Sequence, residues 1–287
     1  MSAKRCAITG ANGFIGSTFS NYLLRNGYDV IKLVRHPQDG LSRHFDLSES
    51  VDPEVFQNID VLVHFAYDYR PRKWTDIYRV NVIGTQRLFQ AARQAGVKKN
   101  IFISTVSAFD GCKSLYGKAK FEIEISASQT GIFIIRPGLT YSNMSDGMFG
   151  ALSKMAKYPV LPSFDGGQQP FVLVHIDDLC CLVEKVINDD SSFLSKPILA
   201  AHPEQIPFQK MIRMISQHYG RNILFVPIPG LLAWVGLSVL EELGVNVGFR
   251  SDSLRSLLNP PAKYDFLGSE KFAVDYRQFS AWLQVDE

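Results

Sequence analysis

Thr9-Gly-Ala-Asn-Gly-Phe-Ile-Gly16, TGANGFIG, decides the fold. It follows a short apolar run, Arg5–Thr9, that reads as a strand, and leads into Phe14–Asn26, which reads as a helix. Gly10, Gly13 and Gly16 recur every third position. Glycine permits the tight turn and lets an anion approach the backbone, where the N–H groups and dipole of a helix N-terminus favour negative charge. In a strand–turn–helix context the pattern points to a dinucleotide diphosphate. The alternative is a tight turn with no ligand.

Apolar runs alternate with helical patterns outward from this turn. Asp29–Val34 reads as a strand, and Asp60–Phe65 and Asn100–Ser104 suit buried parallel strands. Trp74–Ala95 between them is a long helical segment that Gly96 can terminate. Leu115–Ser128 reads as a helix and Gly131–Ile135 as a strand. The alternation predicts an α/β fold, a doubly wound parallel sheet of the Rossmann kind, with ligands at the carboxyl ends of the strands. Past Arg136-Pro137-Gly138 the pattern loosens, and another helix begins near His175. The expected division is a dinucleotide-binding core over 1–139 and 171–192, with a smaller C-terminal substrate lobe over 140–170 and 193–287.

The 287 residues suffice for one large domain or a core with a lobe. A net charge of +2 gives no nucleic-acid footprint, so no nucleic-acid partner is expected. Cys6, Cys112, Cys180 and Cys181 show neither metal-ligand spacing nor a disulfide framework. Reduced thiols and a cytoplasmic location follow as expectations. The N-terminal MSAKRCAIT has too short an apolar run for a secretion signal. Ile223–Leu240 carries no charge over 18 residues, the length of a membrane-helix candidate. Pro227, Pro229 and Gly230 interrupt it. It therefore reads as a strand, a turn and a buried helix, and membrane contact is not expected.

Tyr116-Gly-Lys-Ala-Lys120 places a phenol and an ammonium four residues apart, on one helix face. A phenol with a pKa near 10 is a poor acid–base catalyst at neutral pH, and an adjacent ammonium favours its anion. A drop of about three pKa units needs roughly 4 kcal/mol of differential stabilisation. Tyr116 could then exchange a proton with a substrate hydroxyl or carbonyl while hydride moves to or from a nicotinamide. The alternative is a packed tyrosine beside a solvated lysine.

The glycine turn and the YxxxK string together resemble the extended short-chain dehydrogenase/reductase superfamily, of the NAD-dependent epimerase/dehydratase kind. Asp46-Leu47, His64-Phe65-Ala66, Asn81-Val-Ile-Gly-Thr85, Ser104-Thr105, Arg136-Pro137-Gly138 and Val174-His-Ile-Asp-Asp178 fit the same family. The resemblance covers residues 4 to about 185 and is specific for the superfamily, not for a substrate. It implies a cofactor site from Gly10, Gly13, Phe14, Ile15, Gly16, Asp46, Leu47, Phe65, Ala66 and Pro137, with Asp46 on the adenine amino group. Lys120 would hydrogen-bond the nicotinamide ribose beside Tyr116. Thr105 would polarise the substrate oxygen, with Ser104 and Ser107 as rivals, and Asn81 would support a proton relay. Asp46 as a cap or turn residue, and Asn81 as a buried amide tying strand to helix, are the structural alternatives.

The family's NAD-selecting carboxylate normally ends the second strand, where this chain reads Leu33-Val34-Arg35-His36-Pro37. Arg35, with Arg43, could instead hold a 2′-phosphate, so NADP is favoured over NAD. A solvated surface arginine is the alternative. His64 and His175 look structural, and no metal cluster is visible. Arg70, Arg72 and Lys73 could meet a substrate diphosphate or form a solvated basic loop.

Two departures from the family bear on the reaction. Thr105 to Tyr116 spans only 11 positions, so the loop facing substrate is trimmed. Val106-Ser107 stands where sugar 4,6-dehydratases carry an Asp-Glu pair, which counts against water elimination. The resemblance implies an NAD(P)-dependent epimerase or reductase, with a nucleotide-linked sugar as its small-molecule substrate. The second reading is a reductase of a non-sugar ketone or hydroxysteroid-like compound. The third is a non-catalytic NADP-binding regulator, disfavoured because Tyr116 and Lys120 are both present. A homodimer is one possible assembly.

Overall fold

The computed structural model describes residues 3–128, 130–143, 147–190, 196–245 and 248–284. The first strand, β1 (Arg5–Thr9), enters the glycine turn, and α1 (Phe14–Arg25) leaves it. There follow β2 (Asp29–Val34), β3 (Ser42–His44), β4 (Val61–His64), α2 (Trp74–Ile77), α3 (Gly84–Gln94) and β5 (Lys99–Ile103). Next come α4 (Leu115–Ala127), β6 (Phe133–Pro137), β7 (Leu139–Tyr141), α5 (Gly147–Met155), β8 (Val160–Phe164), β9 (Pro170–Phe171), β10 (Leu173–His175) and α6 (Ile176–Asn188). The remainder contains β11 (Ile198–Ala200), β12 (Ile206–Pro207), α7 (Phe208–His218), β13 (Leu224–Ile228), α8 (Gly230–Glu242), α9 (Ser251–Leu258) and the short helices α10 (Leu267–Glu270) and α11 (Phe279–Gln284).

Seven strands pair in parallel in the order β11-β6-β5-β4-β1-β2-β3. The doubly wound sheet expected from the sequence is therefore present. Its strand order reverses between β1 and β4, where an open sheet leaves a crevice at its carboxyl edge. Side chains alternate across the pleat. Cys6, Ile8, Val61, Val63, Ile101 and Ile103 pack with Phe19 and Leu23 of α1 and Leu179 and Val183 of α6. Ala7, Leu62 and Phe102 face the opposite way, onto Leu88 and Phe89 of α3 and Ala119 and Ile123 of α4. A third core, around Tyr141, Phe149, Phe208, Met211, Leu254 and Phe279, joins the later elements.

Three features differ from the sequence reading. Ser42–His44 has no apolar run, and pairing with Lys32–Val34 alone makes it a strand. Ile198–Ala200, within the range expected to belong to the lobe, extends the central sheet beside β6. The uncharged stretch gives the expected strand and turn, but its helix is not buried. Leu231, Leu232, Val235 and Val239 of α8 are all exposed. Helical periodicity gives the angular spacing of apolar residues, and an all-apolar helix leaves undetermined which face is covered.

Between α2 and α3 the chain makes a π-helical turn, Tyr78–Ile83, a distortion often found near functional sites. It ends at Gly84, where α3 lies against the chain after β3. A Cβ on Gly84 would stand 2.2 Å from the Leu47 carbonyl oxygen, while one on Gly40 would meet nothing within 4 Å. Gly84→Ala should therefore lower unfolding free energy by roughly 1–3 kcal/mol, the range for overpacking. Gly40→Ala should stay within about 0.5 kcal/mol. Urea denaturation reads both, and a Gly84→Ala midpoint equal to wild type would contradict this packing.

Candidate active site

The last residues of β1 and β4, Thr9 and His64, are register partners at the reversal of strand order. Thr9 Oγ1 accepts hydrogen bonds from the Phe65 and Ala66 N–H groups at 3.1 and 3.2 Å. Its own hydrogen is left to donate to His64 Nδ1 at 2.6 Å, so the imidazole proton lies on Nε2 and reaches Thr85 Oγ1 at 2.9 Å. Burial, then the nearby Lys120 charge, holds the His64 pKa well below the usual histidine value, and the ring stays neutral. This chain of bonds fixes β1, β4 and α3 around the glycine turn. Gly10 adopts φ +66°, and a Cβ there would meet Ala66 N at 2.9 Å. The turn therefore presses backbone against backbone, as close approach of a ligand requires.

At the start of α1 no side chain caps the helix, and no acidic residue stands in its first turn. These N–H groups and the attendant dipole face a crevice of about 1490 Å³. The crevice runs from the glycine turn past Arg35, Asp46 and Leu47 at one end, and past Phe65, Ala66 and Pro137 to Thr105, Tyr116 and Lys120. All of the site residues chosen from sequence line it except Asn81. Asn81 lies buried in the π-helical turn, where its Oδ1 accepts from the Asp68 N–H at 2.7 Å and its Nδ2 donates to the Asp68 carbonyl at 3.0 Å. Both ends of the amide tie the chain after β4 to the helix.

Beyond β2, Arg35 points to two carboxylates: Nε lies 3.4 Å from Asp46 Oδ2 and Nη2 lies 3.7 Å from Asp68 Oδ2. Asp46 also accepts from the Ser48 N–H at 2.7 Å and hydroxyl at 2.6 Å, so it closes a turn as well as lining the crevice. Burial raises its pKa, but the Ser48 hydrogen bonds and Arg35 outweigh this and hold it below the ordinary value. Arg43 does not accompany Arg35. One nitrogen of its guanidinium is spent on the Val55 and Gln57 carbonyls.

Helix α4 carries Tyr116 and Lys120. Lys120 Nζ donates to the Ile103 carbonyl at 2.8 Å and lies over the Phe102 ring at 4.6 Å. Burial drives its pKa down to about 7, partly opposed by the Glu124 carboxylate. Tyr116 is wedged between Tyr67, edge-on with centroids 4.8 Å apart, and Tyr69, stacked at 5.8 Å. The Tyr69 hydroxyl adds to the constraint on that of Tyr116. Burial, followed by the two neighbouring tyrosines, pushes the Tyr116 phenol well above its usual value. The sequence expectation was a phenolate favoured by Lys120. Here desolvation dominates, and a lysine near neutrality supplies only part of a charge.

The three hydroxyl rivals have different surroundings. Thr105 Oγ1 accepts from the Ser107 N–H at 3.2 Å, and Ser107 Oγ accepts from Ser256 Oγ at 2.7 Å. Ser104 Oγ is buried with no hydrogen-bond partner among the described residues.

Comparison with known proteins decides the family. The sequence profile described as the NAD dependent epimerase/dehydratase family matches residues 6–194. This chain belongs to that family. It is an NAD(P)-dependent enzyme of the oxidoreductase or epimerase type. It is 27% identical to a UDP-glucose 4-epimerase of Vibrio cholerae, over 79% of each chain. It is 23% identical to a ceramide reductase of Caulobacter vibrioides, over 96% of this chain and 95% of that one. Its fold is similar, at TM-score 0.66 and 21% identity, to a mutant UDP-glucuronic acid 4-epimerase from Bacillus cereus in complex with UDP-4-deoxy-4-fluoro-glucuronic acid and NAD. That likeness covers 78% of this chain and 86% of the other.

The family motifs did not reveal what closes the start of α4. Asp252, in the first turn of α9, accepts from the Leu115 N–H at 2.7 Å and the Tyr116 N–H at 3.0 Å. Ser114 completes the set: its hydroxyl takes the Gly117 N–H at 3.1 Å and its carbonyl the Lys118 N–H at 3.0 Å. The three N–H groups at positions 115–117, which have no partner within the helix, are thereby satisfied. Ser256, one turn further along α9, reaches Ser107. In sequence, 137 positions separate Asp252 from Leu115. Asp252→Ala should lower unfolding free energy by roughly 1–3 kcal/mol, the cost of losing a carboxylate cap and stranding its donors. Dinucleotide binding should persist, because α1 is untouched, and weaken only as far as α4 shifts Lys120. Wild-type stability in the Asp252→Ala protein would show that the cap is idle.

Proposed function

We propose that this enzyme is an NAD(P)-dependent epimerase or reductase acting on a nucleotide-linked sugar, with Tyr116 and Thr105 on the substrate oxygen. The observation that carries it is a single crevice holding the uncapped start of α1, Lys120, Thr105 and Tyr116. These residues fit a dinucleotide. The helix start lacks a side-chain cap, the Gly10 backbone leaves no room for a side chain, and the buried Ser104 hydroxyl lacks a partner among the described residues. Phe14, Ile15 and Gly16 would offer N–H groups to the diphosphate. The bound dinucleotide would supply or accept the hydride.

The protein's own groups handle the proton. A neutral Tyr116 phenol is set to donate to a substrate oxygen and to recover that proton in the reverse direction. Tyr69 must yield its hydroxyl contact for this to happen. Thr105 accepts from Ser107 and keeps its own hydrogen to donate to the same oxygen. When protonated, Lys120 spends one of its three donors on Ile103 and retains two for the ribose. Val106 and Ser107 offer no carboxylate for water elimination, and Ser107 is already held by Ser256.

Arg72, Arg250 and Arg255 line the lobe side of the crevice, and guanidinium groups suit a diphosphate. Their presence and the UDP-glucose 4-epimerase relative support the sugar reading. A reductase of an apolar ketone is the second reading. Arg255 packs over the Trp234 ring at 4.2 Å, Phe171, Phe249 and Leu257 also face the crevice, and the relative matched over 96% of this chain is named a ceramide reductase. We further assign 1–139, 171–192 and the sheet strand 198–200 to the cofactor-binding core, the rest to substrate, and the enzyme to the cytoplasm. Conversion of UDP-glucose to UDP-galactose without net cofactor consumption would support the sugar reading. Oxidation of NADPH by a long-chain ketone, with UDP-glucose inert, would transfer support to the second.

Tyr116→Phe should reduce turnover about 10²-fold or more while leaving dinucleotide affinity unchanged, the signature of a lost acid–base group. Thr105→Val should also lower turnover, and Ser107→Ala should be milder. Near-normal turnover in Tyr116→Phe, with its affinity measured by cofactor fluorescence, would contradict the assignment.

We also assign the cofactor's 2′-phosphate to Arg35. A charge-assisted contact contributes roughly 1.5–3 kcal/mol. Asp46 and Asp68 compete for the guanidinium, which places the preference for NADP at the lower end, about tenfold. Arg35→Ala should erase that preference by weakening NADP alone. Calorimetric titration showing equal wild-type affinities, or an Arg35→Ala protein that still prefers NADP tenfold, would contradict it.

A further inference from the structure

The exposed side of α8 belongs to a larger surface that the crevice does not use. Toward the interior, α8 places Ala233, Trp234 and Leu237 on the third core. Toward solvent it presents Leu231, Leu232, Val235 and Val239, at 69, 64, 44 and 49% exposure, and Leu243 just beyond it at 72%. The strand leading into it, β13, exposes Leu224 and Val226, and its partner β8 exposes Val160 directly opposite Leu224. Tyr158, two residues before Val160, is 64% exposed. Outward apolar residues in this number, on α8 and on the strand that leads into it, need a cover.

The charges around it indicate the cover. Lys157 lies over the Tyr219 ring, Arg221 donates to the Lys157 carbonyl at 2.8 Å, and Arg213 lies over Phe225 of β13. The segments 147–164 and 205–243, which build this surface, contain Lys154, Lys157, Lys210, Arg213 and Arg221 against two acids, Glu241 and Glu242 at the end of α8, and Glu241 is held by Ser251. The whole chain has 30 basic and 28 acidic side chains, so this basic excess is a local asymmetry. A second copy seated here across a two-fold axis would oppose these cations to themselves. No described helix is long and apolar enough to cross a membrane, and α8 has 13 residues against the ~20 a span requires.

We propose that this face docks on an anionic lipid bilayer, with the α8 stripe at the level of the headgroups and the five basic side chains on lipid phosphates and carboxylates. Interfacial helices combine these two features, an apolar face lying in the membrane plane and flanking cations. Trp234 and Glu241 of the same helix line the crevice, so the docked enzyme holds its substrate side next to the membrane surface. The proposal is independent of which substrate the crevice takes.

Vesicle co-sedimentation tests it. The protein should sediment with phosphatidylcholine vesicles containing about 30% phosphatidylserine and remain in solution with phosphatidylcholine alone, a difference that high salt should abolish. Leu231→Ser/Leu232→Ser and Arg213→Glu/Arg221→Glu should each weaken binding about tenfold or more. Dinucleotide affinity unchanged within about twofold would show that both variants remain folded. Absence of binding to the anionic vesicles overturns the proposal, as does equal binding by folded variants. A dimer in analytical ultracentrifugation that Leu231→Ser/Leu232→Ser dissociates would also overturn it, by assigning the face to a second copy.

Discussion

Each helix starts with N–H groups that have no partner within it, and this protein treats two such starts in opposite ways. At α4 the free donors of Leu115, Tyr116 and Gly117 are consumed, two by Asp252 and one by the Ser114 hydroxyl. That helix is pinned, and with it Tyr116 and Lys120. At α1 no side chain intervenes, so its donors and dipole remain directed at the crevice. One helix start is closed by side chains and the other is left open to the crevice. Both lie at the carboxyl edge of one sheet, brought there by the reversal of strand order between β1 and β4. The Thr9–His64–Thr85 chain of hydrogen bonds locks that edge.

Much of this was legible in the residues. β1 and β2 fall where their apolar runs place them, and α1 starts where the last turn glycines predict. Local signals are sufficient there, because a buried parallel strand and a glycine turn are determined within a few residues. The surroundings of Arg35 were only partly legible. The sequence shows an arginine and no acid after β2, yet folding brings Asp46 and Asp68 to that arginine from two later segments. Asp252 was invisible for the same reason. Its partner amides are backbone groups on a distant helix, and no residue type in the sequence marks them. The direction of the Tyr116 shift was missed because spacing gives the lysine's proximity but not the burial beneath Tyr67 and Tyr69.

The later elements complete the site. Through α9 they complete the tyrosine helix, and through Ser256 they hold the loop after Thr105. Through α8 they bring Trp234 and Glu241 to the crevice while exposing leucine and valine on the other side. The uncharged stretch was read as buried because charge-free sequence normally is. The fold instead divides it, with one face in the third core and the other outward.

The contrast between the two helix starts is open to direct measurement by residue-resolved amide hydrogen exchange, with and without NADP. The account predicts that the Phe14, Ile15 and Gly16 amides exchange readily in the free protein and gain protection when the dinucleotide is added. The Leu115, Tyr116, Gly117 and Lys118 amides should be protected in both conditions. Protection at 14–16 that does not change with cofactor, or free exchange at 115–118, would contradict it.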